Sequence, residues 1–488
     1  MLRELLRAHS TAVLDCAGDR LLLRTDATGP DQLAEWHAGV ERPLTAFDAR
    51  VTTARYRPGH RQTVVEGDVG GDERSQLWLL DLDGPLVRDR SRVQALSHDP
   101  GAVHHLAGMS PDGRRVAILA NRRDRAAFDV WLLDLDTGDE QLLHDVGGWC
   151  QPASGFSPDG GWLSVLRPGP RPMDNDLLLL DVANGERRLV LPHPGEATVV
   201  GAPAWMDATT LLVSSNLGMD RHALIRVDLT IDEGTVVLAR AWDVAGWTSP
   251  DGRTVLAVST VDGSSAGELF DARTMTPRGG VLLPDPDTVL AWSHLLPDPL
   301  VADDGGVVAT CSSPSMPPDV WHLGADAPPD PLTRSPLQID RTRLRRPERH
   351  TVTSADGLAV PLLLYWPVTS AGASPPPAVV MLHGGPEGNP SRSSPRRAGA
   401  GCTRLRRRAP QRPGFHRLRQ AVLQPRRHHP TPGLVARPRR RPRLADPRWA
   451  GPGPGGAMGH LMRRVPGARR VRVPARTVGC WRRRRGNR

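Results

Sequence analysis

Short apolar segments that end near an acidic residue recur along the first 340 residues of the chain. Each has the length and the Leu/Val/Trp content of a β-strand and lacks a helical period. Equivalent positions 37, 81, 134, 181, 228, 271 and 324 lie 43 to 53 residues apart. The segments are Leu33–His37 (a degenerate first copy), Leu77–Asp81, Val130–Asp134, Leu178–Asp181, Leu224–Asp228, Glu268–Asp271 and Val320–Leu323.

A Ser-Pro-Asp-Gly tetrapeptide precedes three of these segments, at Ser110–Gly113, Ser157–Gly160 and Ser249–Gly252. Proline fixes φ and Asp-Gly supplies a residue that tolerates positive φ, so each tetrapeptide predicts a hairpin turn. The serine and aspartate are turn formers, and we assign them no catalytic role.

A unit of turn, strand, loop and strand that repeats at this spacing is typical of four-stranded propeller blades. Seven copies predict an all-β fold, a seven-bladed β-propeller over residues 10–340. A set of ordinary hairpins in a β-sandwich is the alternative, and the regular spacing disfavours it.

Residues 341–389 have a different pattern. A basic, proline-containing connector, Arg341–His350, is followed by a predicted hairpin over Thr351–Pro367 that turns at Asp356-Gly357. A flexible stretch leads to a short apolar strand, Pro377–Leu382, and then to His383-Gly384-Gly385-Pro386. Serine hydrolases deliver the turn that forms their oxyanion hole in this way.

With this order of elements the chain resembles the prolyl oligopeptidase family of serine peptidases, including its acylaminoacyl-peptidase and dipeptidyl-peptidase-like members. The resemblance implies that residues 341–389 begin an α/β-hydrolase (peptidase) domain that cleaves short peptides through an acyl-enzyme. It also implies that the Gly385 N–H stabilises the oxyanion and that Gly384, which has no β-carbon, lets the substrate approach closely. His383 would position the loop. The family needs no cofactor and no metal.

The catalytic serine, aspartate and histidine of such an enzyme follow the oxyanion strand in the sequence. No Gly-x-Ser-x-Gly occurs after Gly388. The one literal match, Gly263-Ser264-Ser265-Ala266-Gly267, lies between two predicted strands, whereas a nucleophile elbow joins a strand to a helix. We therefore interpret it as a hairpin, and the triad as absent.

Composition changes abruptly after residue 389. Residues 390–488 hold 29 Arg and one Asp, a net charge of +28, whereas the preceding 389 residues carry −18. Such a tail, rich in Arg, Pro and Gly without apolar periodicity, is expected to be disordered. One interpretation is a propeller that serves as a non-catalytic scaffold with a basic tail for nucleic acid, because arginine neutralises phosphates.

Codon arithmetic favours another interpretation. Pro410–Arg426 can be back-translated so that reading one nucleotide later gives Pro-Asn-Val-Arg-Gly-Ser-Thr-Gly-Phe-Gly-Lys-Arg-Tyr-Phe-Ser-Leu-Asp, which resembles the stretch after the family's oxyanion strand. The same shift at Arg463–Trp481 gives a segment like the helix after the nucleophile elbow. A frameshift between Gly388 and Pro410 would leave this chain inactive, with no specific nucleic-acid partner.

The remaining features are unremarkable. Five cysteines, widely spaced and without metal-ligand spacing, predict free thiols in a reducing compartment. No signal peptide and no long apolar run is visible, so a cytoplasmic protein without a membrane partner is expected.

Overall fold

The computed structural model describes residues 8–290, 296–336, 344–367 and 378–381, together with the backbone of Arg406–Pro410. The chain divides near residue 341 into two compact units. The first unit is a seven-bladed β-propeller, as the repeat predicted. Each blade is an antiparallel sheet made from one continuous segment of the chain.

The blades follow one another in chain order, and the first strand of each lies innermost. Blade 1 consists of β1 (Thr11–Ala17), β2 (Arg20–Thr25), β3 (Gln32–His37) and β4 (Val40–Pro43). Blade 2 consists of β5 (Ala49–Tyr56), β6 (Gln62–Val69), β7 (Gln76–Asp81) and β8 (Gln94–Ala95). Blade 3 consists of β9 (His104–Met109), β10 (Arg115–Asp124), β11 (Ala127–Asp134) and β12 (Glu140–Asp145). A single 3-10 turn, Arg90–Arg92, precedes β8.

Blades 4 to 7 repeat this order, except that two short strands share the inner edge of blade 7. Blade 4 has β13 (Gln151–Phe156), β14 (Trp162–Pro168), β15 (Asn175–Asp181) and β16 (Arg187–Val190), and blade 5 has β17 (Ala204–Trp205), β18 (Thr210–Ser215), β19 (Ala223–Asp228) and β20 (Glu233–Leu238). Blade 6 has β21 (Val244–Thr248), β22 (Thr254–Val261), β23 (Ser264–Asp271) and β24 (Pro277–Val281). Blade 7 has β25 (Val289–Leu290), β26 (Leu300–Val301), β27 (Val307–Ser313), β28 (Met316–Gly324) and β29 (Ala327–Pro331).

Every apolar segment found in the sequence is the third strand of a blade, from β3 in blade 1 to β28 in blade 7. These strands are apolar at consecutive positions because each is covered on both faces. In β7, Leu77 and Leu79 pack towards blade 3, while Trp78 and Leu80 pack towards blade 1. The core is therefore divided into apolar layers, one between each pair of adjacent blades.

The acidic residue that ends most of these strands closes the turn to the fourth strand. The Asp134 carboxylate accepts hydrogen bonds from the backbone N–H groups of Asp136 (2.9 Å) and Thr137 (3.1 Å). Asp181, Asp228 and Asp271 do the same in their blades. This local bond is the reason that aspartate recurs at the position, and the bond from Thr137 lowers the pKa of Asp134.

The three Ser-Pro-Asp-Gly segments are confirmed as turns between the first and second strands of blades 3, 4 and 6. In blade 3 the Ser110 hydroxyl donates to Asp112 and accepts from the Arg115 N–H at 2.8 Å. Gly113 has φ of +69°. A β-carbon there would lie 2.1 Å from the carbonyl oxygen of Pro58 in the corresponding turn of blade 2. Gly113 is therefore required both by its conformation and by the packing of adjacent blades.

Replacing Gly113 with alanine should destabilise the propeller more than the same change at Gly59. Both glycines have positive φ, but nothing lies within 4 Å of a β-carbon at Gly59. The Gly59→Ala change should cost about 1–2 kcal/mol for the left-handed conformation, and Gly113→Ala about 1–3 kcal/mol more for the clash. Urea denaturation of both variants checks this, and equal losses would contradict it.

The ring is closed without exchange of a strand. Blade 1 is built from the N-terminal segment and blade 7 from residues 289–331, and the two pack face to face. Val13 and Val320 are fully buried in this contact. The Val13 N–H donates to the Thr310 hydroxyl oxygen at 3.0 Å, and the hydroxyls of Thr11 and Ser335 lie 3.4 Å apart.

The described part of the second unit is one mixed sheet. It consists of β30 (Glu348–Thr353), β31 (Ala359–Tyr365), β32 (Ala378–Val380) and β33 (Arg406–Pro410), in the order β30-β31-β33-β32. The α/β-hydrolase domain stays a prediction, because this sheet does not establish it. Five residues of the tail expected to be disordered form β33, and the rest of 390–488 lies outside the described residues, so that expectation stays a prediction.

Candidate active site

The predicted oxyanion turn, His383, Gly384 and Gly385, lies outside the described residues. The strand expected to lead into it is present as β32, and Met381 is the last described residue before the turn. β32 runs parallel to β33, with Ala378 opposite Arg406. The predicted oxyanion turn therefore follows the carboxyl end of a parallel strand, which is where α/β enzymes place their functional loops.

The hairpin predicted ahead of this strand is confirmed. β30 and β31 pair from Thr353 opposite Ala359, and Gly357 has φ of +85°. The Asp356 carboxylate accepts from the Ser354 hydroxyl and from the Leu358 N–H at 3.2 Å. The hydrogen bond from Ser354 is the main cause that lowers the Asp356 pKa. Asp356 is therefore a turn former.

Ser265, the serine in the literal Gly-x-Ser-x-Gly match, belongs to strand β23 and follows a turn at Asp262-Gly263. Its hydroxyl donates to the carbonyl oxygen of Leu290 (2.9 Å) and accepts from the Leu290 N–H (3.0 Å). Both functions of the hydroxyl are thus used to join blade 6 to blade 7. No helix follows it, so the interpretation as a hairpin rather than a nucleophile elbow is supported.

The structure also shows a group with the residue types of a catalytic triad that the sequence analysis did not identify. Ser214, His222 and Asp243 are buried in and beside blade 5, with the Ser214 oxygen 3.3 Å from the His222 Nδ1 atom. However, the Ser214 hydroxyl donates to the carbonyl oxygen of Val244 at 2.6 Å. Asp243 accepts from the main-chain N–H of His222 at 2.9 Å. A nucleophilic serine must pass its proton to the imidazole, so this arrangement is structural.

The described residues also bring four side chains together near the centre of the ring, a group that we call the channel cluster: Asp15, Arg55, Trp247 and Asp298. Trp247 hydrogen-bonds Asp298, and Arg55 interacts electrostatically with both aspartates. Arg55 lies on the inner strand of blade 2 and Trp247 on that of blade 6. Because blades 2 and 6 are not neighbours, the interaction of Arg55 with Asp298, which Trp247 also contacts, runs across the centre of the ring.

The channel cluster holds two perturbed carboxyl groups. Burial raises the pKa of Asp15, although the charge of Arg55 and the Tyr56 N–H (2.8 Å from the carboxylate) oppose it. Asp298 is exposed to solvent, and partial desolvation by the surrounding groups raises its pKa against the opposing effects of Arg55 and Trp247. Carboxyl groups in this state can bind an ammonium ion or donate a proton, and perturbed groups of this kind are candidates for a functional site.

No group of three or more metal-ligating side chains occurs among the residues that the structure describes.

Cys16, Cys150 and Cys311 are free thiols, as expected, while Cys402 and Cys480 lie outside the described residues. Burial raises the pKa of Cys150 to about 12. The Cys16 side chain is exposed at the surface, but crowding by neighbouring groups removes part of its hydration and raises its pKa to about 11, so both thiols stay protonated at neutral pH. In the same part of the chain, no helix is long and apolar enough to cross a membrane.

The sequence matches no protein-family model and no curated protein. The structure is similar to that of a puromycin-hydrolysing peptidase from Mycobacterium tuberculosis, with a TM-score of 0.70 and 18% identity over 87% of this chain and 69% of that chain. A puromycin hydrolase gives a TM-score of 0.71 with the same identity and coverage. A mutant of puromycin hydrolase complexed with PGG gives 0.69 and 18%, over 85% of this chain and 68% of that one.

Over the matched part, the chain has the fold of these peptidases. The match confirms the propeller expected from the resemblance to the prolyl oligopeptidase family, and the α/β-hydrolase domain stays a prediction. The likeness concerns the fold. At 18% identity, no functional role of an individual residue is transferred from those peptidases to this chain.

Exchanging Ser265 for alanine should affect stability and not catalysis. Loss of its hydroxyl leaves the buried N–H and carbonyl of Leu290 without that partner, at a cost of about 1–3 kcal/mol. Ser264 is the matched control, because its buried hydroxyl has no hydrogen-bond partner among the described residues. Ser264→Ala should change the free energy of unfolding by less than about 0.5 kcal/mol. Equal effects of the two changes, or labelling of Ser265 by a serine-directed phosphonate, would contradict this assignment.

Proposed function

We propose that the gene encodes a serine peptidase of the prolyl oligopeptidase type, which hydrolyses short peptides through an acyl-enzyme, and that this chain as written is inactive. The observation that carries the proposal is the order of elements. A seven-bladed propeller is followed by a hairpin at Asp356-Gly357 and then by β32, which runs into His383-Gly384-Gly385. The fold match to puromycin-hydrolysing peptidases over 87% of the chain supports it.

In the active form, a serine oxygen would attack the scissile carbonyl carbon while a histidine takes the serine proton. The negative charge that develops on the carbonyl oxygen would be stabilised by the backbone N–H of Gly385. Gly384 would let the substrate approach where a β-carbon would block it, and His383 would pack inward and hold the loop. Collapse of the intermediate would expel the amine with the proton from histidine, and water would then release the acyl group.

This chain lacks the groups for those steps. No Gly-x-Ser-x-Gly follows Gly388, and the hydroxyls of Ser265 and Ser214 are directed to backbone groups. The two shifted-frame segments at Pro410–Arg426 and Arg463–Trp481 support an out-of-frame origin for residues after Gly388. The rival function, a scaffold with a nucleic-acid-binding tail, rests on residues 390–488, of which the structure describes the backbone of Arg406–Pro410 alone.

The propeller would restrict substrates to short peptides, because a closed ring admits a single extended chain through its centre and excludes folded proteins. The two carboxyl groups of the channel cluster, Asp15 and Asp298, would favour substrates with a free amino group over those with a carboxylate nearby. Arg55 offsets part of this preference, so the selectivity for the ammonium group is expected to be modest.

The purified chain should not hydrolyse aminoacyl or acylaminoacyl p-nitroanilides, and a fluorescent serine-directed phosphonate should not label it. The reason is that neither a nucleophile nor its base is present. The matched control is the product of the same DNA with one base added or removed between the codons for Gly388 and Pro410. That product should be labelled at one serine and should turn over substrate.

Turnover by the chain as written that the phosphonate abolishes would refute the proposed inactivity. A control product that reads through the shifted frame, folds, and yet neither reacts with the phosphonate nor turns over any substrate would refute the proposed peptidase.

A further inference from the structure

Each blade ends in an outermost strand, and six of these strands are protected against pairing with another chain. The outer edge of β24 is partly covered, because Val281 bridges Ala325 and the Asp326 N–H donates to the Gly280 carbonyl oxygen. Edge strands are protected by shortness, by proline and by charge. β8 has two residues. β4, β24 and β29 contain proline, β16 begins with two arginines, and β12 is charged at both ends.

The outer strand of blade 5 is the least protected of the seven in its central residues. β20, Glu233–Leu238, has the sequence Glu-Gly-Thr-Val-Val-Leu, with no proline and no charge after its first residue. Its first four residues are exposed, and the Val236 side chain is 49% exposed. Ile231, just ahead of the strand, is 60% exposed. The pairing with β19 is irregular between Val236 and Leu238, so the regular part of the edge is Glu233–Val236. An exposed stretch of this kind can pair with a further strand.

We propose that two copies of this chain associate through β20, each copy adding its strand antiparallel to the same strand of the other. The proposal is independent of peptidase activity. Pairing would supply main-chain hydrogen bonds to the open edge. It would also cover Val236 and Ile231 on both copies, because a two-fold axis places the same patch on each side of the interface.

Charge along the edge favours a second copy as the occupant. The acidic residues Asp232 and Glu233 lie at the start of β20, and Arg240 lies two residues beyond its end. In an antiparallel pair the start of one strand meets the end of the other, so acidic residues of each copy approach Arg240 of its partner. A parallel pair would instead place like charges together.

The edge is held in place for such pairing. Arg188 of blade 4 binds the Asp232 carboxylate at 2.6 Å and also donates to the Leu229 carbonyl oxygen, which tethers the turn before β20. At the other end, Arg240 binds Glu268 at 3.0 Å and lies 5.9 Å from the centre of the Phe270 ring. Little ordering would be required when the strands meet, which lowers the entropic cost of association.

The contact is small. Six residues of each copy take part in the ladder, so the buried area falls below that of standard stable interfaces, about 1,200–2,000 Å². We therefore expect a dimer that dissociates upon dilution, with half-association at a concentration on the order of 10 μM, for which about −7 kcal/mol suffices.

Sedimentation velocity of the full chain from about 1 to 100 μM should show a monomer that shifts to a dimer. Val236→Lys should weaken the dimer at least tenfold, since the ammonium group cannot be buried beside its symmetry mate. The matched control is Val40→Lys, because Val40 is 65% exposed on the outer strand of blade 1, which proline and charge already protect. Circular dichroism should show that both variants keep the wild-type melting temperature.

A covalent trap gives a second readout that does not depend on the stability of Val236→Lys. Thr235 lies near the middle of β20 and so near the proposed two-fold axis. With the exposed Cys16 changed to serine, Thr235→Cys should form a disulfide-linked dimer under mild oxidation and Val40→Cys should not. A chain that stays monomeric to 100 μM, a dimer unaffected by Val236→Lys, or no enrichment of the Thr235→Cys dimer over the control would each overturn the proposal.

Discussion

The contact between blades 1 and 7 is the constraint on which the propeller depends. Each blade has apolar residues on both faces, so a blade is stable only when neighbours cover both faces. Blade 1 and blade 7 satisfy this by packing against each other, and among the described strands none is shared between them, so the packing alone holds the ring closed. Among the described residues their apolar cluster, centred on Val13 and Val320, has the fewest members of the seven between blades.

Polar bonds support the apolar layers around the ring, as the network at Glu35 shows. This buried carboxylate in blade 1 accepts from Arg61 in blade 2 at 2.8 and 3.0 Å, and from Arg42 and the Tyr56 hydroxyl at 3.2 Å. Burial alone would raise its pKa, but the hydrogen bonds from Arg61 and Arg42 prevail and lower the pKa to about 2. The ionised Glu35 carboxylate therefore stabilises the folded state fully above about pH 4.5, and this contribution is lost as the pH falls towards 2.

Features set by local chemistry were predictable from the sequence, and features set by ring geometry were not. The Leu-rich third strands, the Asp134-type turn and the Gly113 turn each follow from a few consecutive residues. The channel cluster gave no such signal, because Asp15 and Asp298 are far apart in the sequence and come within the electrostatic reach of Arg55 only when the ring closes. Ser214, His222 and Asp243 show the converse: residue types alone suggest a triad, and only the hydrogen-bond directions exclude it.

We propose that the reading frame of a peptidase is interrupted after the strand that leads into His383-Gly384-Gly385. Sequencing the coding DNA between the codons for Gly388 and Pro410 tests it most directly. We predict that one added or missing base restores a long frame that contains Gly-x-Ser-x-Gly-Gly, with codon-position bias in the shifted frame across residues 410–488. A confirmed frame, with that bias in the frame as written, would contradict the claim and would make the arginine-rich tail a selected part of the protein.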